Sequence, residues 1–171
     1  MNIEEETIRS LLERDHQRLD QLLARASGDL DNIDMEAFGE FRRGLLKHIG
    51  MEEKILLPAI QQLRGGEPLP IAARLRLDHG AVAALLVPTP RVALLRALKS
   101  VLAVHNRIEE GLDGVYAECD RIADTDSEAI VGRLRTAPEV PAAAHVDGPK
   151  VEAAARRSLA RAGFDAMLLD S

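Results

Sequence analysis

The sequence predicts an all-α fold, an up-down-up-down four-helix bundle with a C-terminal helical appendage, and three observations predict it. Apolar residues recur at alternating spacings of three and four through four long segments. Aromatic residues make up 2% of the chain and tryptophan is absent, so the core has to be built from aliphatic side chains, as amphipathic helices allow. Short breaks rich in glycine, aspartate or proline separate the segments, and short connections between long helices favour antiparallel neighbours.

The first helix is expected over residues 4 to 26, through Ile8, Leu11, Leu12, Leu19, Leu22 and Leu23, ending near Ser27-Gly28. Asp29 to Asp34 then form a turn. The second continues through Phe38, Phe41, Leu45, Ile55, Ala59 and Leu63 and stops at Gly65-Gly66. Pro58 should kink it by removing one amide donor. A third spans about 69 to 86 through Ile71, Leu75, Val82 and Leu86 and is closed by Pro88-Thr89-Pro90. A fourth runs from about 91 to 122 through Leu94, Leu98, Val101, Leu102, Leu112 and Tyr116. Beyond it the periodicity weakens into a short helix near 126 to 135, a Pro- and Ala-rich loop, and a helix near 149 to 162 framed by Pro149 and Gly163. Residues 1 to 122 therefore read as the bundle and 123 to 171 as an appendage packed on it.

Composition narrows the function. A net charge of −6 with no long basic run argues against a nucleic-acid partner. The longest uncharged stretch, His79 to Pro90, holds two prolines and falls well short of the roughly 20 apolar residues of a membrane span. Cys119 is the only cysteine, so no internal disulfide can form, and MNIEEETIRS is too acidic and polar for a secretory signal. The expectation is a cytoplasmic protein without membrane attachment.

A pattern then appears twice. Asp15-His16 on the first helix is followed by His48-Ile49-Gly50-Met51-Glu52-Glu53 on the second, and Asp78-His79 on the third by His105-Asn106-Arg107-Ile108-Glu109-Glu110 on the fourth. Residues three or four apart share a helix face, which places His16, His48, Glu52, His79, His105 and Glu109 on the apolar stripes. Burying two ionised carboxylates costs several kcal/mol each unless cations or dense hydrogen bonding compensate, and no lysine or arginine shares the stripe. A divalent metal supplies that charge, and mixed imidazole and carboxylate donors suit iron, manganese or zinc. Six donors imply two ions. The competing explanation, a bundle whose histidines merely hydrogen-bond, leaves both carboxylates uncompensated.

Neighbouring residues receive plainer readings. Glu53 and Glu110 lie about 100° around the helix from the inward residues and read as solvated or paired on the surface, with contact behind the ligands as the alternative. Asp15 and Asp78 are placed to accept the remaining N–H of a neighbouring imidazole. Tyr116, seven residues after Glu109 on the same face, reads as core packing with a solvated hydroxyl, with a hydrogen bond donated near the site as the alternative. His145 and Cys119 are assigned no role.

These motifs resemble the hemerythrin-like, HHE cation-binding family. The resemblance covers residues 1 to about 122 and rests on Asp15-His16, on His48-xxx-Glu52-Glu53 with Leu56-Leu57-Pro58 behind it, on Asp78-His79, and on His105-Asn106-xx-Glu109-Glu110. It implies a four-helix bundle around a carboxylate- and oxo- or hydroxo-bridged pair of iron ions, with His16, His48, Glu52, His79, His105 and Glu109 as ligands. Two departures matter. The oxygen carriers place HxxxH on the third helix, whereas the residue four before His79 is Leu75, which speaks against reversible oxygen carriage. Asp113-Gly114-Val115 stands where the first repeat has its proline, so the fourth helix is expected to run on unkinked but loosened at Gly114.

With both glutamates bridging, each metal would receive two imidazoles and two carboxylate oxygens and keep at least one open position. The family includes proteins that sense iron or oxygen and proteins implicated in repairing iron centres after nitrosative stress. The expected function is a non-haem di-iron protein that binds, senses or reduces a small oxidant, O2, peroxide or NO. The alternative is an iron-handling or regulatory module without catalysis, for which residues 123 to 171 offer a surface to a protein partner.

Overall fold

The computed structural model describes residues 6–170, which are helical or in loops and turns throughout, without strands. Helix α1 (Ile8–Ala26) begins at a capping box: the Thr7 hydroxyl accepts the Ser10 N–H and the Ser10 hydroxyl accepts the Thr7 N–H. Residues 4 and 5, which the periodicity adds to this helix, lie outside the described residues. Asp34 caps α2 (Met35–Met51) by accepting the Ala37 N–H at 2.9 Å.

Pro58 acts one turn earlier than a simple kink would. It offers no N–H to the Lys54 carbonyl, and the chain widens into a π-turn at Glu52–Leu56, with the Leu57 N–H donating to the Glu52 carbonyl five residues back. Helix α3 (Leu57–Leu63) follows and is closed by Gly65 and Gly66, both at positive φ (73° and 99°). Helices α4 (Ala72–Leu85) and α5 (Val92–Glu110) complete the bundle, α1 packing on α2 and α4 on α5.

The fourth predicted helix is in fact two. α5 stops at Glu110, a tight turn spans Gly111 to Gly114 with the Gly114 N–H on the Gly111 carbonyl at 2.8 Å, and α6 (Val115–Ala123) starts in a new direction. Leu112, expected on the buried stripe, is 91% exposed at the turn. A Cβ on Gly114 would lie 2.5 Å from the Glu109 carbonyl oxygen and 2.7 Å from the Gly111 nitrogen, backbone atoms with no room to retreat. Asp120 on α6 then accepts the Ile8 and Arg9 N–H groups at 2.9 and 3.2 Å, satisfying free amides at the start of α1 and tying α6 to it. Gly114→Ala is expected to destabilise the fold by about 1–3 kcal/mol through this overpacking. Leu112→Ala, by contrast, should stay within about 0.5 kcal/mol. Urea midpoints of the two variants provide the comparison.

The core divides in two. One cluster gathers Leu19, Leu23, Phe38, Phe41, Leu45, Val82, Leu85, Leu98 and Leu102, the other Ile8, Leu12, Leu56, Ile60, Leu75, Val115 and Tyr116. His16 sits between Leu12 and Leu19, and His79 between Leu75 and Val82, so the histidines form a polar layer where the clusters meet. The C-terminal elements seal both: α7 (Ser127–Arg135) adds Ile130, Val131 and Leu134 to the second cluster, while α8 (Pro149–Arg161) and the 3₁₀ turn Ala166–Leu169 add Leu159 and Leu169 to the first. Among the described residues no helix is long and apolar enough to cross a membrane.

Candidate metal centre

Six side chains predicted from the sequence to face inward do so: His16, His48, Glu52, His79, His105 and Glu109 are all buried. They gather into two donor groups that share a carboxylate, Glu52, His79, His105 and Glu109 in one and His16, His48 and Glu109 in the other. Each glutamate divides its oxygens between the histidine pairs. Glu52 turns Oε1 to His48 Nε2 (3.6 Å) and Oε2 to His79 Nε2 (3.0 Å). Glu109 turns Oε2 to His16 Nε2 (3.4 Å) and Oε1 to His105 Nε2 (2.9 Å).

These contacts fit a cation better than they fit hydrogen bonds. Glu52 Oε2 and Glu109 Oε1 are buried without a hydrogen-bond partner, because the nearby imidazoles are close but misaligned. His79 Nε2 and His105 Nε2 face one another at 3.2 Å, an approach that at most one proton can bridge. Lone pairs converging from imidazole and carboxylate describe the donor set of a first-row divalent metal.

The outer imidazole nitrogens explain why the Nε2 atoms converge. His48 Nδ1 donates to Asp15 (2.9 Å) and His105 Nδ1 to Asp78 (3.2 Å), as the sequence anticipates. Two more donate to residues read as surface glutamates: His79 Nδ1 to Glu53 (2.8 Å) and His16 Nδ1 to Glu110 (2.5 Å). That reading is corrected. Asp15 and Asp78 serve the histidine of the next helix within their own repeat, whereas Glu53 and Glu110 reach across to the other repeat. An N–H fixed at Nδ1 leaves Nε2 as the free donor and sets the ring plane. The signal was present in the sequence as the doubled Glu-Glu of both repeats. Asp78 is fully buried and held in turn by Arg74 at 2.9 Å. Asp78→Asn is expected to weaken metal binding about 10–100-fold with the helical content unchanged, as a chelator competition titration would show.

Electrostatics follow from the two central carboxylates. Burial works against a charge on His48, His79 and His105, but Glu52 together with Asp15, Glu53, Asp78 and Glu109 outweighs it and lifts them to about 10, 9 and 10 respectively. His16 falls to about 3, first through burial and then through the neighbouring His48. Glu52 stays ionised despite its burial because His48 and His79 hold it well below the ordinary carboxylate value, and Glu109 is pushed up by burial and by Glu52. Protons thus occupy positions that a cation would contest.

Tyr116 is closer to the centre than sequence reasoning placed it. Its hydroxyl is not solvated: the residue is fully buried, and Oη donates its single proton to Glu52 Oε1 at 2.6 Å, with Glu109 Oε2 3.0 Å away as the other acceptor within reach. Burial and the two carboxylates push this hydroxyl well above its usual value. The break at Gly111 to Gly114 makes the approach possible by turning α6 back over the layer. Cys119, on the same helix, is buried and its thiol is raised by burial to about 12, which leaves it inert.

A cavity of about 10 Å³, the scale of one water-sized occupant, faces all four histidines and is walled by Leu19, Phe41, Leu45, Val82 and Leu102. A larger cleft of about 600 Å³ lies at the surface among α1, α2 and α7 and meets this network only through Asp15.

The model of the hemerythrin HHE cation-binding domain matches residues 7–112. No curated protein and no solved structure matches the chain. The matched region carries helices α1 to α5 and all six inward donors, and it ends before Tyr116. It spans more than half of the sequence, and the chain therefore belongs to the hemerythrin HHE cation-binding domain family.

Proposed function

We propose that this protein holds two iron ions, with His16 and His48 at one position, His79 and His105 at the other, and Glu52 and Glu109 bridging, and that it binds, senses or reduces a small oxidant there. The observation that carries this reading is the division of each glutamate's oxygens between the two histidine pairs, which a single ion could not use. A ferrous pair with an open position supplies up to two electrons to O2, peroxide or NO. The protein's own contribution is to fix four imidazoles through Nδ1, to keep both carboxylates charged or hydrogen-bonded, and to surround the open side with largely apolar walls. The 10 Å³ cavity limits the ligand to a molecule of very few atoms. Leu75, 1% exposed within the second core cluster, stands where an oxygen carrier would place a further histidine, and this supports reaction or sensing over carriage.

Anaerobic loading with ferrous iron, metal analysis, and separate exposure to O2, peroxide and NO test the proposal. The expected result is close to two irons per chain and a change in the absorption spectrum with at least one of the three. Well under one iron per chain overturns it. Full loading with no response to any of them would favour the iron-handling module, in which metal binding contributes folding energy and nothing is turned over.

A further inference from the structure

We propose that Tyr116 is itself a donor to the metal held by His16 and His48, which makes the two metal positions chemically unequal; this rests on the two-metal reading above. The argument starts from spacing. Donors that lie about 2.0–2.2 Å from a common ion lie roughly 3 Å from one another. Tyr116 Oη is 3.3 Å from His48 Nε2, 3.3 Å from His16 Nε2, 3.0 Å from Glu109 Oε2 and 2.6 Å from Glu52 Oε1, four atoms of the same half-site, and a metal that takes the place of the hydroxyl proton turns the last two contacts from hydrogen bonds into contacts between ligand atoms. An oxygen at those distances stands in the coordination shell, not behind it.

The donor inventory points the same way. The tightly converging group around His79 and His105 holds four residues, whereas that around His16 and His48 holds three with Glu52 Oε1 at its edge, 3.6 Å from His48 Nε2, and the Tyr116 oxygen sits at the looser group. The repeat offers no second copy of this oxygen, since the residue seven after Glu52 is Ala59 where the residue seven after Glu109 is Tyr116. The small cavity is lined by all four histidines and Glu52 but not by Tyr116 or Glu109, so the tyrosine approaches from another side and leaves the cavity free. With both glutamates bridging, the His16–His48 position gains a fifth donor while the His79–His105 position keeps four. The second position is then the one left open to a small ligand. Tyr116 also lies beyond residues 7–112, so this donor belongs to the part of the chain outside the family match.

Tyr116 is the only tyrosine in the sequence, which allows a test on the full chain without any substitution. Iron-loaded, oxidised protein is prepared with ordinary and with ring-deuterated tyrosine, and resonance Raman spectra are recorded within its visible absorption. A coordinated phenolate gives a phenolate-to-iron charge-transfer band and enhanced ring modes that shift on deuteration. Tyr116→Phe, compared per iron bound as a chelator-released metal count reads, should lose both the band and the modes. A tyrosine that only hydrogen-bonds the carboxylates gives no ring modes in the wild-type protein even with two irons bound, and that result overturns this inference while leaving the two-iron reading intact. Failure of the wild-type protein to hold two irons overturns both.

Discussion

Glu109→Gln is expected to empty both metal positions at once. Glu109 is the one residue common to the two donor groups, with Oε1 2.9 Å from His105 Nε2 and Oε2 3.4 Å from His16 Nε2. Glutamine keeps the shape and the bond to Tyr116 but replaces one anionic oxygen by an NH2 group, which donates where a lone pair is needed. The loss should exceed the roughly 10–100-fold that changes to outer hydrogen-bond partners cost, and bound metal should fall to well below one ion per chain at stoichiometric loading. His105→Ala touches one group only and should leave about one ion per chain, held by His16, His48 and the carboxylates. Metal analysis after gel filtration separates the two outcomes. Glu109→Gln protein that retains its full metal complement would refute the bridging role.

The second large effect is the dependence of metal-induced stability on pH. In the metal-free protein the folded values of His48, His79 and His105, about 10, 9 and 10, stand above the unfolded 6.5. The stability they contribute is complete below pH 6.5 and is lost as the pH rises toward 9 and 10. His16, folded value about 3, has the opposite sign: its contribution is present above pH 6.5 and is lost as the pH falls from there toward 3. The metal-free protein should therefore be most stable near pH 6.5 and weaken on the alkaline side.

Metal binds the neutral imidazoles and displaces those protons, so its affinity rises over the same window in which the metal-free form weakens. At free metal about 1,000-fold above Kd the stabilisation is about 4 kcal/mol, a shift of roughly 8–16 °C for a chain of this size. Calorimetry of metal-free and loaded protein from about pH 6 to about pH 9 should show the difference in Tm widening with pH. A difference that is constant or narrows would contradict the proton competition.

The inward donors were legible because they depend on one helix at a time. His16 among Leu12 and Leu19, or His48 and Glu52 behind Leu45, follow from the 3.6-residue period and need no knowledge of neighbouring helices. The duplicated pattern was equally visible, and with it the expectation of two related half-sites. The fate of Glu53 and Glu110 was not. Their angle around the helix suggests solvent, and only the packing between elements brings Glu53, on the π-turn, to Nδ1 of His79 on α4 and Glu110, on α5, to Nδ1 of His16 on α1.

Tyr116 marks the same boundary more sharply. The periodicity carries smoothly through Leu112 and hides the turn, although Gly111 and Gly114 bracket it in the sequence. Steric contact at Gly114 and the Asp120 cap on α1 decide the direction of α6. Local spacing thus determined which residues face inward and that their chemistry calls for a cation. Tertiary packing decided which carboxylate orients each imidazole and which oxygen stands beside the histidines, because those contacts join residues as far apart as 100 positions, and their geometry is set by how helices cross rather than by how any one of them winds.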